Sequence, residues 1–360
     1  MKQTKNILIC PLDWGLGHAT RMVPIIEMLG NKGANVIVAA DKRPMEFLKQ
    51  RFPKNTFIKL EGYSPNYSYN GSMAFAMLKS LPEIIKKARK AKKELQKLII
   101  KHDIHAVISD NRYELSTTKV PSIFITHQLN IQTHGWQIVA KPIIDKIINS
   151  YINKFDEVWV PDITGNSQLS GKLSESNKFS SKQFKIGLLS RFSEAGINNK
   201  SKYIDILIIL SGPEPQRTIL EEMLLAESLK TKLKIVMLLG KPDENINTEI
   251  KNVKLISHLP DNEFISSIQG AEFIISRPGY STLMDLANFG SKAVFIPTPG
   301  QTEQEYLAKR LLDNGIAFSQ NQNNFNLTEA IANQGKYTGL LIDNNSVLLE
   351  SRIDNLLSIC

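Results

Sequence analysis

Ser276-Arg-Pro-Gly-Tyr-Ser-Thr-Leu-Met-Asp285, preceded by Ala271-Glu-Phe-Ile-Ile275 and followed by Pro297-Thr-Pro-Gly-Gln-Thr-Glu-Gln304, carries the transition that decides the fold. Phe273–Ile275 is a short apolar run, Pro278-Gly279 breaks it, and Ser281 is placed to cap a helix over Leu283–Phe289. The chain therefore turns from buried strand to helix within a few residues. Such a turn aims unpaired N–H groups, at the positive end of a helix dipole, toward an anion. A diphosphate suits that place, and Asp285, one turn into the helix, is at the right depth to meet a ribose hydroxyl.

The same grammar recurs near the start. Asn6-Ile-Leu-Ile-Cys10 reads as a buried strand running into Pro11-Leu-Asp-Trp-Gly-Leu-Gly-His-Ala-Thr-Arg21. A helix over Ala19–Asn31 keeps Met22, Ile25, Ile26 and Leu29 on one face, while Gly15 and Gly17 let the backbone turn sharply and approach a ligand closely. His18 then stands at the mouth of a cleft.

Working outward, apolar runs at Asn6–Cys10, Val36–Ala39, Phe57–Leu60, Ala106–Ser109, Ser122–Thr126 and Glu157–Val160 alternate with segments long enough for crossover helices. The pattern restarts with Ile204–Leu210, Ile235–Leu239, Val253–Ile256, Phe273–Ile275 and Ala293–Ile296. Repeated β-α alternation over 360 residues predicts an α/β protein of two Rossmann-like domains. We place the first over 1–165, a Ser-, Asn-, Lys- and Gly-rich crossing over 166–201, the second over 202–345, and a C-terminal helix over 346–360 that returns to the first domain. Every motif named lies after a strand, where open α/β sheets bind ligands.

Two cysteines, Cys10 and Cys360, supply no disulfide framework and suit a reducing, cytoplasmic compartment. The apolar run after Met1-Lys-Gln-Thr-Lys5 is too short for a signal-peptide core, and no stretch of 18 apolar residues occurs. A net charge of +9 favours anionic partners, yet no zinc spacing, Walker loop or basic-aromatic RNA motif accompanies it, which argues against nucleic acid. Ser80–Lys101 reads as a helix with Lys86, Lys87, Arg89, Lys90, Lys92 and Lys93 close together, after Met73-Ala-Phe-Ala-Met-Leu78. That is a solvated face, or a peripheral contact with an anionic membrane in which Met73, Phe75 and Met77 dip into the interface.

With these residues in view, the chain resembles the GT-B glycosyltransferases of family 28, which include the peptidoglycan N-acetylglucosaminyltransferase and lie near the UDP-glycosyltransferases. The resemblance is strongest over 270–317 and implies two domains facing an interdomain cleft, a UDP-sugar as co-substrate, no other cofactor and a hydroxyl acceptor. It implies that Gly279, Ser281, Thr282 and Asp285 hold the nucleotide, that Glu303 and Gln304 hold donor-sugar hydroxyls, and that His258 and Leu259 lie on the loop reading the uracil edge. Gly17-His18 is similar to the family's glycine loop and acceptor-activating histidine. Arg21 after Gly-His also resembles the UDP-sugar hydrolase of the pseudaminic acid pathway, so water is the alternative acceptor. Leu210-Ser-Gly-Pro-Glu-Pro215 departs from the family by carrying two prolines that lack N–H donors, which assigns more of the phosphate contact to Ser211, Gly212 and Arg217.

The chemistry needs a base for the acceptor hydroxyl, and a neutral imidazole at His18 suits it. Asp110, at the end of its strand, is placed to orient that ring. His127 and Gln128 follow the next strand and, with Trp14, are assigned to the acceptor side. No Asp-x-Asp pair occurs, so no metal is expected and leaving-group charge falls to the helix dipole, backbone amides and Arg217. A non-catalytic nucleotide-sugar-binding module is the remaining alternative.

Overall fold

The computed structural model describes residues 4–13, 15–62, 73–130, 137–165, 168–193, 195–196, 201–342 and 347–360, with the backbone alone along 73–82, at 84 and along 137–140. The chain divides into two compact units, Met1–Arg191 with Asn344–Cys360, and Phe192–Asp343.

The first unit runs β1 (Asn6–Cys10), α1 (Gly17–Asn31), β2 (Asn35–Ala40), α2 (Lys42–Arg51), β3 (Thr56–Lys59), α3 (Met73–Lys101), β4 (Ile104–Asp110), β5 (Ser122–Ile125), α4 (Gln137–Ile152), β6 (Glu157–Val160) and β7 (Gln183–Lys185). Among the described residues these strands form one parallel sheet in the order β3-β2-β1-β4-β5-β6-β7. The central strands are continuous apolar runs because a parallel sheet is covered on both faces, and Ile7, Leu8, Ile9, Val107 and Ile108 are fully buried. The order reverses between β1 and β4, where Cys10 pairs with Ser109. Their C-terminal ends therefore open side by side at the switch point, and both His18 and Asp110 belong to those ends.

The second unit repeats the plan with β8 (Ile204–Ile209), α5 (Gln216–Ser228), β9 (Ile235–Leu238), β10 (Asn247–Ile250), β11 (Val253–Ile256), α6 (Asp261–Gly270), β12 (Ala271–Ser276), α7 (Tyr280–Asn288), β13 (Ala293–Phe295), α8 (Thr302–Asp313), β14 (Phe318–Ser319) and α9 (Leu327–Gln334). Its sheet order is β10-β11-β9-β8-β12-β13-β14, parallel except for the β10 edge. Here the switch point falls between β8 and β12, so the loop at 210–215 and the Arg277-Pro-Gly279 turn emerge from neighbouring strands.

Every strand read from an apolar run forms. The sequence reading omits β7, β10 and β14, which are short or carry no buried apolar run; all four residues of β10 are exposed. Because β7 joins the first sheet, much of the stretch expected as a crossing supplies first-unit structure. The C-terminal helix Val347–Ile359 also belongs to that unit, burying Leu349, Ile353 and Leu356 on one stripe. Lys32 pairs with its Glu350 and Asp354 at 3.0 and 2.7 Å, and the Arg352 guanidinium lies 4.0 Å from the Phe184 ring centre.

Candidate functional site

At the first switch point, β1 leads into Gly15, whose φ of +70° favours glycine, and α1 begins at Gly17, two residues earlier than its apolar pattern indicates. His18 therefore sits in the first helical turn. Its N-cap residue, Leu16, makes no side-chain cap bond. Asp110 is the last residue of β4, and Asn111 turns the chain away at φ +52°, a conformation Asn tolerates better than most residues. The Asp110 carboxylate is fully buried, yet its Oδ2 lies 2.9 Å from His18 Nδ1.

Arg21, one turn beyond His18 on the same helix face, completes the cluster. Its Nε donates to Asp110 Oδ2 at 2.9 Å, and its Nη2 donates to Asp110 Oδ1. Nη2 also lies 2.7 Å from His18 Nδ1, and Nη1 lies 3.3 Å from Nδ1 of the buried His127. Burial, and then the Arg21 guanidinium, hold His18 below the ordinary imidazole value against the pull of Asp110. Burial alone would raise Asp110, but Arg21 and His18 outweigh it and keep the carboxyl below the usual range. Among the described residues His18 Nε2 makes no hydrogen bond, and the side chain is 13% exposed. Gln128 follows His127 half-buried, its N–H donating to Thr126 Oγ1 at 3.0 Å, and Trp14 lies outside the described residues.

In the second unit, α7 starts at Tyr280 with Gly279 in the capping position at φ −69° and ψ 138°, which corrects the expectation of Ser281 as the cap. Pro278 and Gly279 end the extended segment early enough for Tyr280 to enter the helix. Ser281 and Thr282 thus fall in the first turn and Asp285 one turn later. All three are half-buried on one face, while Leu283, Met284, Leu286 and Ala287 pack on the other. The first turn contains no acid and its N-cap, Gly279, makes no side-chain cap bond, and a helix N-terminus of this kind favours an anion.

The helix after β8 is different. Glu214 accepts the Thr218 N–H at 3.2 Å and binds Arg217, which also donates to Glu221 and, at 3.2 Å, to the Leu239 carbonyl. The expected phosphate-binding guanidinium is thus neutralised by two carboxylates of its own helix region. Ser211 is half-buried and Gly212 is exposed at φ +108°, so the loop itself remains open. A Cβ on Gly240 would lie 2.5 Å from the Leu210 carbonyl oxygen, which accounts for glycine beside this loop.

Arg277 is the residue that the sequence reading left unassigned. It is 1% exposed and donates to the carbonyls of Ile296 and Pro297 at 3.0 and 2.9 Å, to the Gln216 carbonyl at 3.3 Å, and to Gln322 Oε1. Among the described residues no carboxylate meets it and its Nε has no partner. Burial pushes its guanidinium down to about 10. A cation with no described anionic partner therefore lies under the carboxyl edge of the sheet, tied at once to the start of α5 and the loop before α8.

Glu303 and Gln304 occupy the first turn of α8. Gln304 Oε1 accepts the Thr298 N–H at 2.8 Å, leaving the amide NH2 for a ligand. His258 is exposed and Leu259 half-buried in the loop between β11 and α6, at the same edge of the sheet. Along α3, Lys86, Arg89, Lys90, Lys92 and Lys93 are exposed beside Ile85, and the side chains of Met73, Phe75 and Met77 lie outside the described residues. No described helix is long and apolar enough to cross a membrane.

Residues 206–337 match the model of the glycosyltransferase family 28 C-terminal domain. An uncharacterized glycosyltransferase of Methanosarcina acetivorans is 23% identical over 325 residues, covering 83% of this chain and 81% of that protein. A UDP-N-acetylglucosamine–N-acetylmuramyl-(pentapeptide) pyrophosphoryl-undecaprenol N-acetylglucosamine transferase of Campylobacter jejuni subsp. doylei is 25% identical over 252 residues, 67% of this chain and 65% of that protein. The crystal structure of Acinetobacter baumannii MurG shares the fold, with a TM-score of 0.58 at 13% identity over 98% of this chain and 99% of that one. The second unit accordingly carries a match to the glycosyltransferase family 28 C-terminal domain over 206–337, and with its two parallel-sheet units the chain has the fold of the GT-B glycosyltransferases.

Proposed function

We propose that this glycosyltransferase is inverting and metal-independent, and that it moves a hexose or N-acetylhexosamine from a UDP-sugar to a hydroxyl acceptor. The observation that carries the reading is the buried His18–Asp110 pair at 2.9 Å, at the switch point of a unit that accompanies a family 28 domain. The Campylobacter relative, whose name specifies a UDP-N-acetylglucosamine donor, supports the choice of nucleotide.

In this reading His18 Nε2 takes the proton of the acceptor hydroxyl while Nδ1–H donates to Asp110. The acceptor oxygen bonds to the anomeric carbon from the face opposite the diphosphate. The bond from that carbon to the diphosphate oxygen breaks with its electron pair on UDP. The N-terminal end of α7, where the helix dipole is positive, and Arg277 meet the charge that develops there. Asp285 binds ribose, and Glu303 with the Gln304 NH2 binds sugar hydroxyls. The exposed cations of α3 hold the enzyme at an anionic, cytoplasmic membrane surface where a lipid-linked acceptor would be found. Arg21 in the His18 cluster keeps a UDP-sugar hydrolase as the second reading.

Incubating the protein with UDP-sugars, with and without glycan or lipid-linked acceptors, tests this directly. Acceptor-dependent UDP release is expected. Release that ignores every acceptor identifies the hydrolase, and binding without release overturns both enzymatic readings.

A further inference from the structure

We propose that Arg21 is a positioning residue of this reaction, which clamps both oxygens of Asp110 and thereby keeps His18 uncharged and available as a base in mildly acidic solution. The inference rests on the reading of His18 as the base. A buried carboxylate alone beside an imidazole stabilises the imidazolium, which has already lost its capacity to accept a proton. In this chain the carboxylate meets a permanent cation first. Arg21 Nε and Nη2 engage the two Asp110 oxygens, so the carboxylate charge is balanced before His18 takes any proton. A proton added to His18 would place a second positive charge against Nη2, which is 2.7 Å from Nδ1.

Arg21 and Asp110 also set the tautomer between them. A guanidinium N–H only donates and a carboxylate only accepts. Nδ1 faces both, at 2.7 and 2.9 Å, and bonds one at a time. With its hydrogen on Asp110, Nε2 carries the lone pair needed for the reaction. With Nδ1 accepting from Arg21, Nε2 carries the hydrogen and can only donate. Holding Asp110 by two oxygens fixes Oδ2 where the first arrangement needs it. His127, on Nη1 at 3.3 Å, is the other titratable group acting on His18, and Tyr113, near Asp110, is a phenol raised so that it stays protonated at working pH. A lysine supplies the charge without the planar fork.

The test labels the six histidines with ¹⁵N and follows each imidazole by NMR as pH changes, with His18 assigned from His18→Gln. Native His18 should titrate below the ordinary value of about 6.5. Arg21→Met should raise its midpoint by about one to three pH units, and the acid limb of kcat/KM should move with it while KM for UDP-sugar holds. Arg21→Lys should keep the midpoint low but reduce kcat. Native His18 titrating at or above the ordinary value overturns the inference, even if Arg21→Met does not fold. So does a folded Arg21→Met with an unmoved midpoint, or an Arg21→Lys midpoint that rises as far as that of Arg21→Met. Failure of the base reading is a separate result: His18→Gln then turns over at a near-native rate whatever the midpoints show.

Discussion

Replacing Arg277 by Met keeps an unbranched stem and removes a cation that burial has pushed down to about 10. At about 1.4 kcal/mol per pH unit, holding that charge in the unliganded protein costs about 3 kcal/mol. An anion bound at the α7 end offsets the penalty, so up to about 3 kcal/mol of UDP binding, roughly two decades in Kd, depends on this side chain. The variant also strips donors from the carbonyls of Gln216, Ile296 and Pro297 and from Gln322 Oε1, which opposes the relief of removing a buried charge. Stability is therefore a poor readout, and binding must be measured on protein shown to be folded. Calorimetry should find UDP weakened by about 10- to 100-fold while uridine, which lacks phosphate, binds as before. Equal losses for UDP and uridine would show that Arg277 only ties the loops together. Unchanged UDP affinity refutes the charge argument outright.

Three further outcomes follow from the same geometry. Asp285→Ala should weaken UDP and UMP alike by about 1.5–3 kcal/mol in calorimetry, the worth of a charge-assisted hydrogen bond to ribose; unchanged affinity makes Asp285 a helix acid only. Gln304→Ala should spare UDP affinity yet lower turnover with UDP-sugar, and should reduce stability by about 1 kcal/mol because the Thr298 N–H loses its acceptor, both readable from kinetics and urea midpoints. Stability should fall on acidification in two steps. His18 is depressed in the fold, so its contribution is complete above the unfolded value of about 6.5 and is lost as pH drops through the lower folded value. Asp110 is also depressed, so its contribution goes only below about 3.8. Urea midpoints from pH 8 to 3 check this, and His18→Gln should lack the first step.

The strands were legible because a parallel sheet buries both faces and leaves unbroken apolar runs, as at Ile206–Leu210 and Ala106–Ile108. What gives no such run was missed, and β10, Asn247-Thr-Glu-Ile250 at an exposed edge, is the clearest case. Strand-to-helix turns were also legible, but their caps were not: Ser281 is a better cap by residue type than Gly279, and the backbone at Pro278-Gly279 overrides type. The nearness of His18 and Asp110 follows from the order reversal between β1 and β4, which strand recognition alone does not supply. Arg217 is instructive, because its neutralisation was visible. Glu214 and Glu221 stand three residues before and four after it, the spacing at which helical side chains meet.

Arg217 and Arg277 together bear on where we propose that the diphosphate binds. Both stand near the switch point between β8 and β12, and a basic residue beside a glycine turn invites the same assignment for each. Arg217 already has two carboxylates, one of which also accepts an N–H at the start of α5. A phosphate arriving there would have to displace Glu214 and would find a guanidinium whose charge is spent. Among the described residues Arg277 has four oxygens of neutral groups and no anion, and the α7 turn that follows it carries no acid. Binding at α7 relieves a buried charge, whereas binding at α5 breaks the Glu214–Arg217 ion pair. The two prolines of Pro213-Glu-Pro215 point the same way, since a loop that has given up N–H donors and acquired a carboxylate is poorly suited to hold phosphate by itself.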